Sequence, residues 1–225
     1  MTLDPQGGVR LDEPGAMRNP LATRHKAKGR MMPHTTRRYR TAKKIQATAV
    51  QLAVRDGLAN VTTEAIAREA GISTRTFFNY YPYKEAAMMG PPPDYPAEAS
   101  EQFVAGTGTL IADLDRLITA HLSRFLDERE LLVHILALSD TDPKLDALRN
   151  STMLSRRAQM RELLRRRCPA TPPAQIEILA AAIVAATNAA TKAWAGGEVD
   201  DFIAAARENL SLIQPAADML NQRPA

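Results

Sequence analysis

Disulfides are the first thing this sequence rules out, because its 225 residues include one cysteine, Cys168. A lone cysteine forms no internal bridge and fits a reducing, cytoplasmic setting. No apolar run reaches the roughly 18 residues of a membrane span, and the first residues hold no apolar signal core. Neither membrane insertion nor export is expected. Several chemical signatures are missing as well. There is no glycine-rich phosphate loop, no HExxH, no metal-spaced Cys/His set and no nucleophile elbow. These gaps argue against an enzyme, and no cofactor or metal is expected. No segment alternates strictly between apolar and polar residues, so no strand is expected. Aromatics number only eleven, while alanine is abundant. The composition points to an all-α chain.

Acidic residues are missing from Pro14 to Arg55, a stretch holding eleven Lys and Arg. Residues 18–90 carry fourteen basic and four acidic side chains, a net +10. Residues 91–225 carry fourteen and eighteen, a net −4. One half of the chain therefore suits a polyanion and the other does not. A solvated basic tail is the plain alternative.

Residues 1–36 mix Gly, Pro and charge with no apolar period and read as a disordered basic arm. It either follows phosphates or is a soluble leader. Ile45, Ala49, Leu52 and Ala53 share one face of a helix expected over Thr41–Asp56, stopped by Gly57. Thr62 or Thr63 caps a second short helix bearing Ile66, Ala67 and Ala70. Gly71 ends it, Ile72 plugs the turn and Ser73 caps a third helix, closed by Pro82. A short fourth helix covers Lys84–Met89. Residues 91–97 then form a proline-rich linker, since four prolines in positions 91–96 bar a helix. Residues 98–222 read as a helical second domain, with helices over 98–126, 128–138, 143–167, 174–195 and 199–213. The total is about nine helices.

Five of the eleven aromatics fall between Phe77 and Tyr83. Phe77 and Tyr81, four apart, belong to the inner face of the third helix with Ile66 and Ile72. Arg75 lies on its outer side, and its fork matches the O6 and N7 acceptors of guanine; a phosphate contact is the alternative. Ser73 and Thr74 open the helix and either cap it, touch DNA or do both. Three short helices in residues 37–90, with a tight glycine turn before the third, make a helix-turn-helix. Its third helix enters the major groove.

The stretch TAKKIQATAVQLAVRDGLANVTTEAIAREAGISTRTFFNYYPYKEA resembles the DNA-binding domain of the TetR family of bacterial transcriptional regulators. The matching positions include Ile45, Ala49, Gly57, Thr63, Ala70–Gly71–Ile72–Ser73, Phe77–Phe78, Tyr80–Tyr81 and Lys84. The resemblance covers about a fifth of the chain. It implies phosphate or base contacts at Phe78, Asn79 and Tyr80, and a phosphate clamp at Lys84. Thr63 offers a phosphate its hydroxyl and a backbone N–H. Arg40 and Lys44 are further candidates for phosphate contact. Tyr81 stands where phenylalanine is usual, and the GPPP run is a departure from the family.

The resemblance also implies an effector-binding domain and a homodimer built on the last two helices. Ile176, Leu179, Ile183, Ala186 and Ala190 recur at helical spacing, as do Phe202 and Leu210. They suit either a four-helix dimer interface or an intramolecular core. Leu117, His121, Phe125, His134 and Met153 are candidate pocket residues, though such a stripe is equally plain core. The expectation is a repressor that leaves a palindromic DNA operator when a small apolar ligand binds. The alternative is an effector-independent DNA-binding protein, or an activator, whose second domain only dimerises.

Overall fold

The computed structural model describes residues 37–222, so the expected basic arm, residues 1–36, lies outside the described residues. Those residues are helical, with no strand among them. Helix α1 (Arg37–Asp56) is followed by a 3₁₀ turn (Leu58–Asn60), α2 (Thr63–Glu69), α3 (Thr74–Phe78) and α4 (Lys84–Met89). After the proline-rich segment come α5 (Ala97–Ala105), α6 (Leu110–Leu122), a 3₁₀ stretch (Ser123–Glu128), α7 (Arg129–Thr141) and α8 (Pro143–Arg167). Then follow α9 (Pro173–Gly196), α10 (Phe202–Ser211), α11 (Ile213–Asp218) and a closing 3₁₀ turn (Met219–Asn221).

The short N-terminal helices are fixed by their caps. Thr62 Oγ1 accepts from the Ala65 amide at 3.1 Å, so Thr62 rather than Thr63 caps α2. Ser73 Oγ does the same for α3 through the Thr76 amide. Between them Gly71 adopts φ +67°, the left-handed backbone that a turn of this tightness requires. Ile45, Ala49, Leu52, Ile66, Phe77, Tyr81 and Met88 form the core beneath these helices. Ile135 of α7 and Leu145 of α8 join that same cluster, from beyond the proline-rich segment.

A second cluster gathers Phe103, Leu117, Ile118, Met160, Leu164, Ile183, Trp194 and Phe202. Trp194 stacks on Phe202, ring centroids 4.5 Å apart and planes nearly parallel. Helix α9 alone among the described helices is long and apolar enough to cross a membrane. In this fold its Ile176, Ala180, Ile183 and Ala190 face is buried core.

The expected helix boundaries shift in several places, with the third helix ending at Phe78 rather than at Pro82. Helix α1 starts at Arg37, four residues before Thr41. The expected helix over 98–126 is broken at residues 106–109. There the buried Asp113 carboxylate fills the space a side chain on Gly106 would need. Arg116 and Arg167 both donate to that carboxylate. The last expected helix divides after Ser211. Pro215 falls in the first turn of α11, where a missing N–H costs nothing.

The proline-rich segment is pinned rather than free. Tyr95 is buried. Arg124 donates to the Asp94 carbonyl at 2.7 Å, and Gln159 donates to the Asp94 carboxylate at 2.7 Å.

Candidate nucleic-acid interface and adjoining cavity

The aromatic run divides by face. Phe77 and Tyr81 are buried, and Tyr81 Oη donates to the Ala42 carbonyl of α1 at 3.1 Å. Phe78 stands edge-on to Phe77 and is 51% exposed. An apolar ring held outward on a short helix stays there because its neighbours fill the core beneath. Arg75 and Asn79 are exposed beside it, and Tyr80 is half-buried. Ser73 and Thr74 lie at the start of the same helix; Ser73 is its cap and also pairs with the Thr76 hydroxyl at 2.9 Å. Thr63 is the first residue of α2, with its hydroxyl 3.1 Å from Glu64 Oε2. Arg40 and Lys44 are exposed on α1, and the Lys44 ammonium lies beside Gly71 at the turn.

Arg38 joins this set unforeseen. Its guanidinium sits 5.0 Å from the Tyr80 ring centroid and donates to the Asn79 carbonyl at 3.3 Å. It thereby ties the start of α1 to the end of α3. The signal was its place in the RRYR run, two residues before Arg40 and six before Lys44.

Lys84 is engaged within the protein, which corrects a simple phosphate clamp. Its Nζ donates to the carbonyls of Leu58 at 2.7 Å and Val61 at 2.9 Å. Both carbonyls belong to the connection between α1 and α2, so the lysine fastens that turn. Only one of its three protons is left for other partners.

A cavity of about 130 Å³ lies where α1 and the proline-rich segment meet α6, α7 and α8. Tyr39, Lys43 and Gln46 of α1 line it, with Pro91 and Pro93. His121, Phe125 and Met153, expected as pocket residues, are in its wall. Leu117 and His134 are not. Leu117 is buried in the second core, and His134 is half-exposed on α7 away from the wall. A more open depression between Val133, Lys192 and Gly196 shares Leu136 and Arg149 with the cavity.

Polar contacts join the cavity wall to the N-terminal helices. Lys43 Nζ donates to Glu128 Oε2 and to Gln46 Oε1, each at 2.7 Å. Gln46 Nε2 donates onward to the Met88 and Met89 carbonyls at 3.2 and 3.1 Å. Gly90, at φ +76°, leaves room for that amide, which any side chain there would strike. On the far wall Arg156 is only 7% exposed, and its Nη2 meets His121 Nε2 at 3.0 Å. Nothing in the sequence set Arg156 apart from the arginines around it.

The expected dimer residues divide by burial. Ile176, Ile183, Ala190, Phe202 and Leu210 are buried in the single chain, where they pack α9 and α10 against their own neighbours. Leu179 and Ala186 are half-buried. The outward face of α9 is instead Ile178, 69% exposed, followed at helical spacing by Ala182, Ala185 and Ala189. Leu212, Met219 and Leu220 are exposed on the segment after α10.

Residues 45–86 match the family description "bacterial regulatory proteins, tetR family". No curated protein matches the chain significantly. The fold is similar to that of Thermus thermophilus FadR, a TetR-family transcriptional repressor solved in complex with lauroyl-CoA. That match has 23% identity and a TM-score of 0.52, over 76% of this chain and 92% of that one. It is also similar to the fatty acid degradation regulator FadR of Bacillus halodurans. There the identity is 17% and the TM-score 0.51, over 83% and 96% of the two chains. Likeness at these identities concerns the fold.

Proposed function

We propose that this chain, a member of the tetR family of bacterial regulatory proteins and hence a transcriptional regulator, is a homodimeric repressor. It leaves a palindromic operator when a small molecule enters the cavity beneath α1. The observation that carries this reading is the outward face of α3. Arg75, Phe78 and Asn79 stand exposed there, over a core that fixes the helix through Phe77 and Tyr81. Arg38, Arg40 and Lys44 add positive charge from α1 for the flanking phosphates. Such a protein works where the chromosome is, in the cytoplasm.

Two copies are needed to read two half-sites about one turn apart. The outward stripe of Ile178, half-buried Ala182, Ala185 and Ala189 suits a close, two-fold helix pairing, because small residues let helix axes approach.

The cavity favours a ligand-responsive protein over one whose second domain only dimerises. Its wall is shared between α1 and the second part of the chain. A molecule occupying it acts on Lys43 and Gln46 directly, and through Gln46 on α4. Release is then a shift of population toward a spacing of the two recognition helices that no longer fits the operator.

The experiment is selection of genomic fragments by the full-length protein, followed by footprinting. Recovery of a two-fold symmetric site with half-sites about one turn apart supports the reading. Binding without sequence preference contradicts it.

A further inference from the structure

Arg156 stands out when the buried charges are surveyed. Among the described residues no carboxylate lies within 4.0 Å of its guanidinium. Every other arginine or lysine in the cavity wall has such a partner: Lys43 pairs with Glu128, and Arg149 pairs with Asp140 and Asp146. The polar side chains beside Arg156 are His121, whose Nε2 it meets, and Tyr95, and neither is a carboxylate. A guanidinium only donates, so His121 Nε2 accepts from it. His121 therefore supplies a lone pair but no negative charge. Arg156 Nε–H is buried with no acceptor among the described residues, and the neutral hydroxyl of the buried Tyr95 lies beside the guanidinium. The Tyr95 ring lies tilted against His121, centroids 4.8 Å apart; burial pushes its phenol pKa up, and the charge and hydrogen bond of Arg156 pull it down.

A buried cation without a counter-ion is costly, and proteins meet that cost by pairing it. Here no pairing carboxylate is present among the described residues, and the cation faces a cavity whose remaining wall includes Phe125, Leu132, Ile135 and Met153. We propose that the cavity takes a small monocarboxylate, its carboxylate paired with Arg156 and its apolar body against these side chains. A planar guanidinium with a free Nε–H is shaped for a two-pronged carboxylate contact. The volume, about 130 Å³, limits the apolar body to about the size of a benzene ring, which fills an apolar cavity of roughly 150 Å³. A long acyl thioester fails on both counts, being too large for the cavity and having no carboxylate at its acyl end. This inference rests on the cavity being the effector site.

The test uses the full-length protein and its single tryptophan, Trp194, which stacks on the cavity-lining Phe202. Benzoate, phenylacetate and hexanoate are titrated beside their neutral primary amides and beside lauroyl-CoA, with fluorescence and melting temperature as readouts. At least one carboxylate should bind tenfold or more tightly than its amide. Arg156→Met should abolish that preference without lowering the melting temperature of the ligand-free protein, since it removes an unpaired buried charge while keeping the stem. Arg156→Lys should retain part of the preference. The proposal is overturned if no carboxylate binds better than its amide, or if the preference survives in Arg156→Met. A melting temperature that falls in Arg156→Met would show that the chain already satisfies the guanidinium, and would overturn it too. Release of operator DNA by lauroyl-CoA alone would overturn the carboxylate while leaving a ligand-responsive regulator standing. Operator binding unmoved by every compound would count against both.

Discussion

Lys43 on α1 and Glu128, 85 residues later in the turn before α7, meet at 2.7 Å with both side chains largely shielded from solvent. The contact links the helix that flanks the DNA-facing surface to the wall of the cavity. A shielded pair resists screening by salt better than a surface one. In a double-mutant cycle with Lys43→Met and Glu128→Gln, followed by urea unfolding, the coupling should be about 0.5–3 kcal/mol. Additive effects would mean that the two groups do not act as a pair.

Lys84→Ala should destabilise the protein by about 1–3 kcal/mol, because the Leu58 and Val61 carbonyls lose their shared donor. The slope of log affinity against log salt should stay put. A slope smaller by about one phosphate contact would return Lys84 to the phosphate-clamping role that the family resemblance implies.

Burial raises the phenol pKa of Tyr39, Tyr81 and Tyr95, with Glu128 adding to the effect at Tyr39. These phenols stay protonated in the folded chain past the ordinary value of about 10, where unfolded phenols ionise. Above that pH the unfolded state binds fewer protons, so stability is flat below about pH 10 and falls as pH rises. An alkaline titration followed by phenolate absorbance and circular dichroism should show three of the five tyrosines ionising only as the helices melt. Ionisation of all five before any loss of helix would refute the burial.

Ile178→Glu should convert the dimer to a monomer in sedimentation and remove tight operator binding, with the helical signal intact. A dimer that persists would place the interface away from the outward face of α9.

The inward Phe77 and outward Arg75 and Phe78 of α3 were legible from helical spacing, and Tyr81, past the helix end, keeps the inward side because its amide still donates to the Phe77 carbonyl at 3.0 Å. The Ser73 cap and the Gly71 turn were legible for the same reason: both are set within four residues. The dimer face was not. Ile176, Ile183 and Ala190 form an apolar stripe, and such a stripe reads alike whether it meets the chain's own helices or a second copy. Only burial in the folded chain separates the two, and it moves attention to Ile178. The cavity was half legible. His121, Phe125 and Met153 came from apolar spacing on the middle helices, but Tyr39, Lys43 and Gln46 enter from α1, more than 70 residues away, by tertiary placement alone. Arg156 carried no mark, because an arginine in a run of charged residues looks solvated until its surroundings are known. Lys84 shows the converse, since a motif position named it while its own fold occupies most of its donors.

The central claim is that the outward face of α3 reads DNA, and Arg75 tests it most directly. Fluorescence anisotropy on the selected operator and on its single-base variants, at one fixed salt concentration, compares wild type with Arg75→Ala. Loss of about 1–3 kcal/mol in affinity, with base preference relaxed at one position of each half-site, is the predicted result. Unchanged affinity and unchanged preference would contradict it.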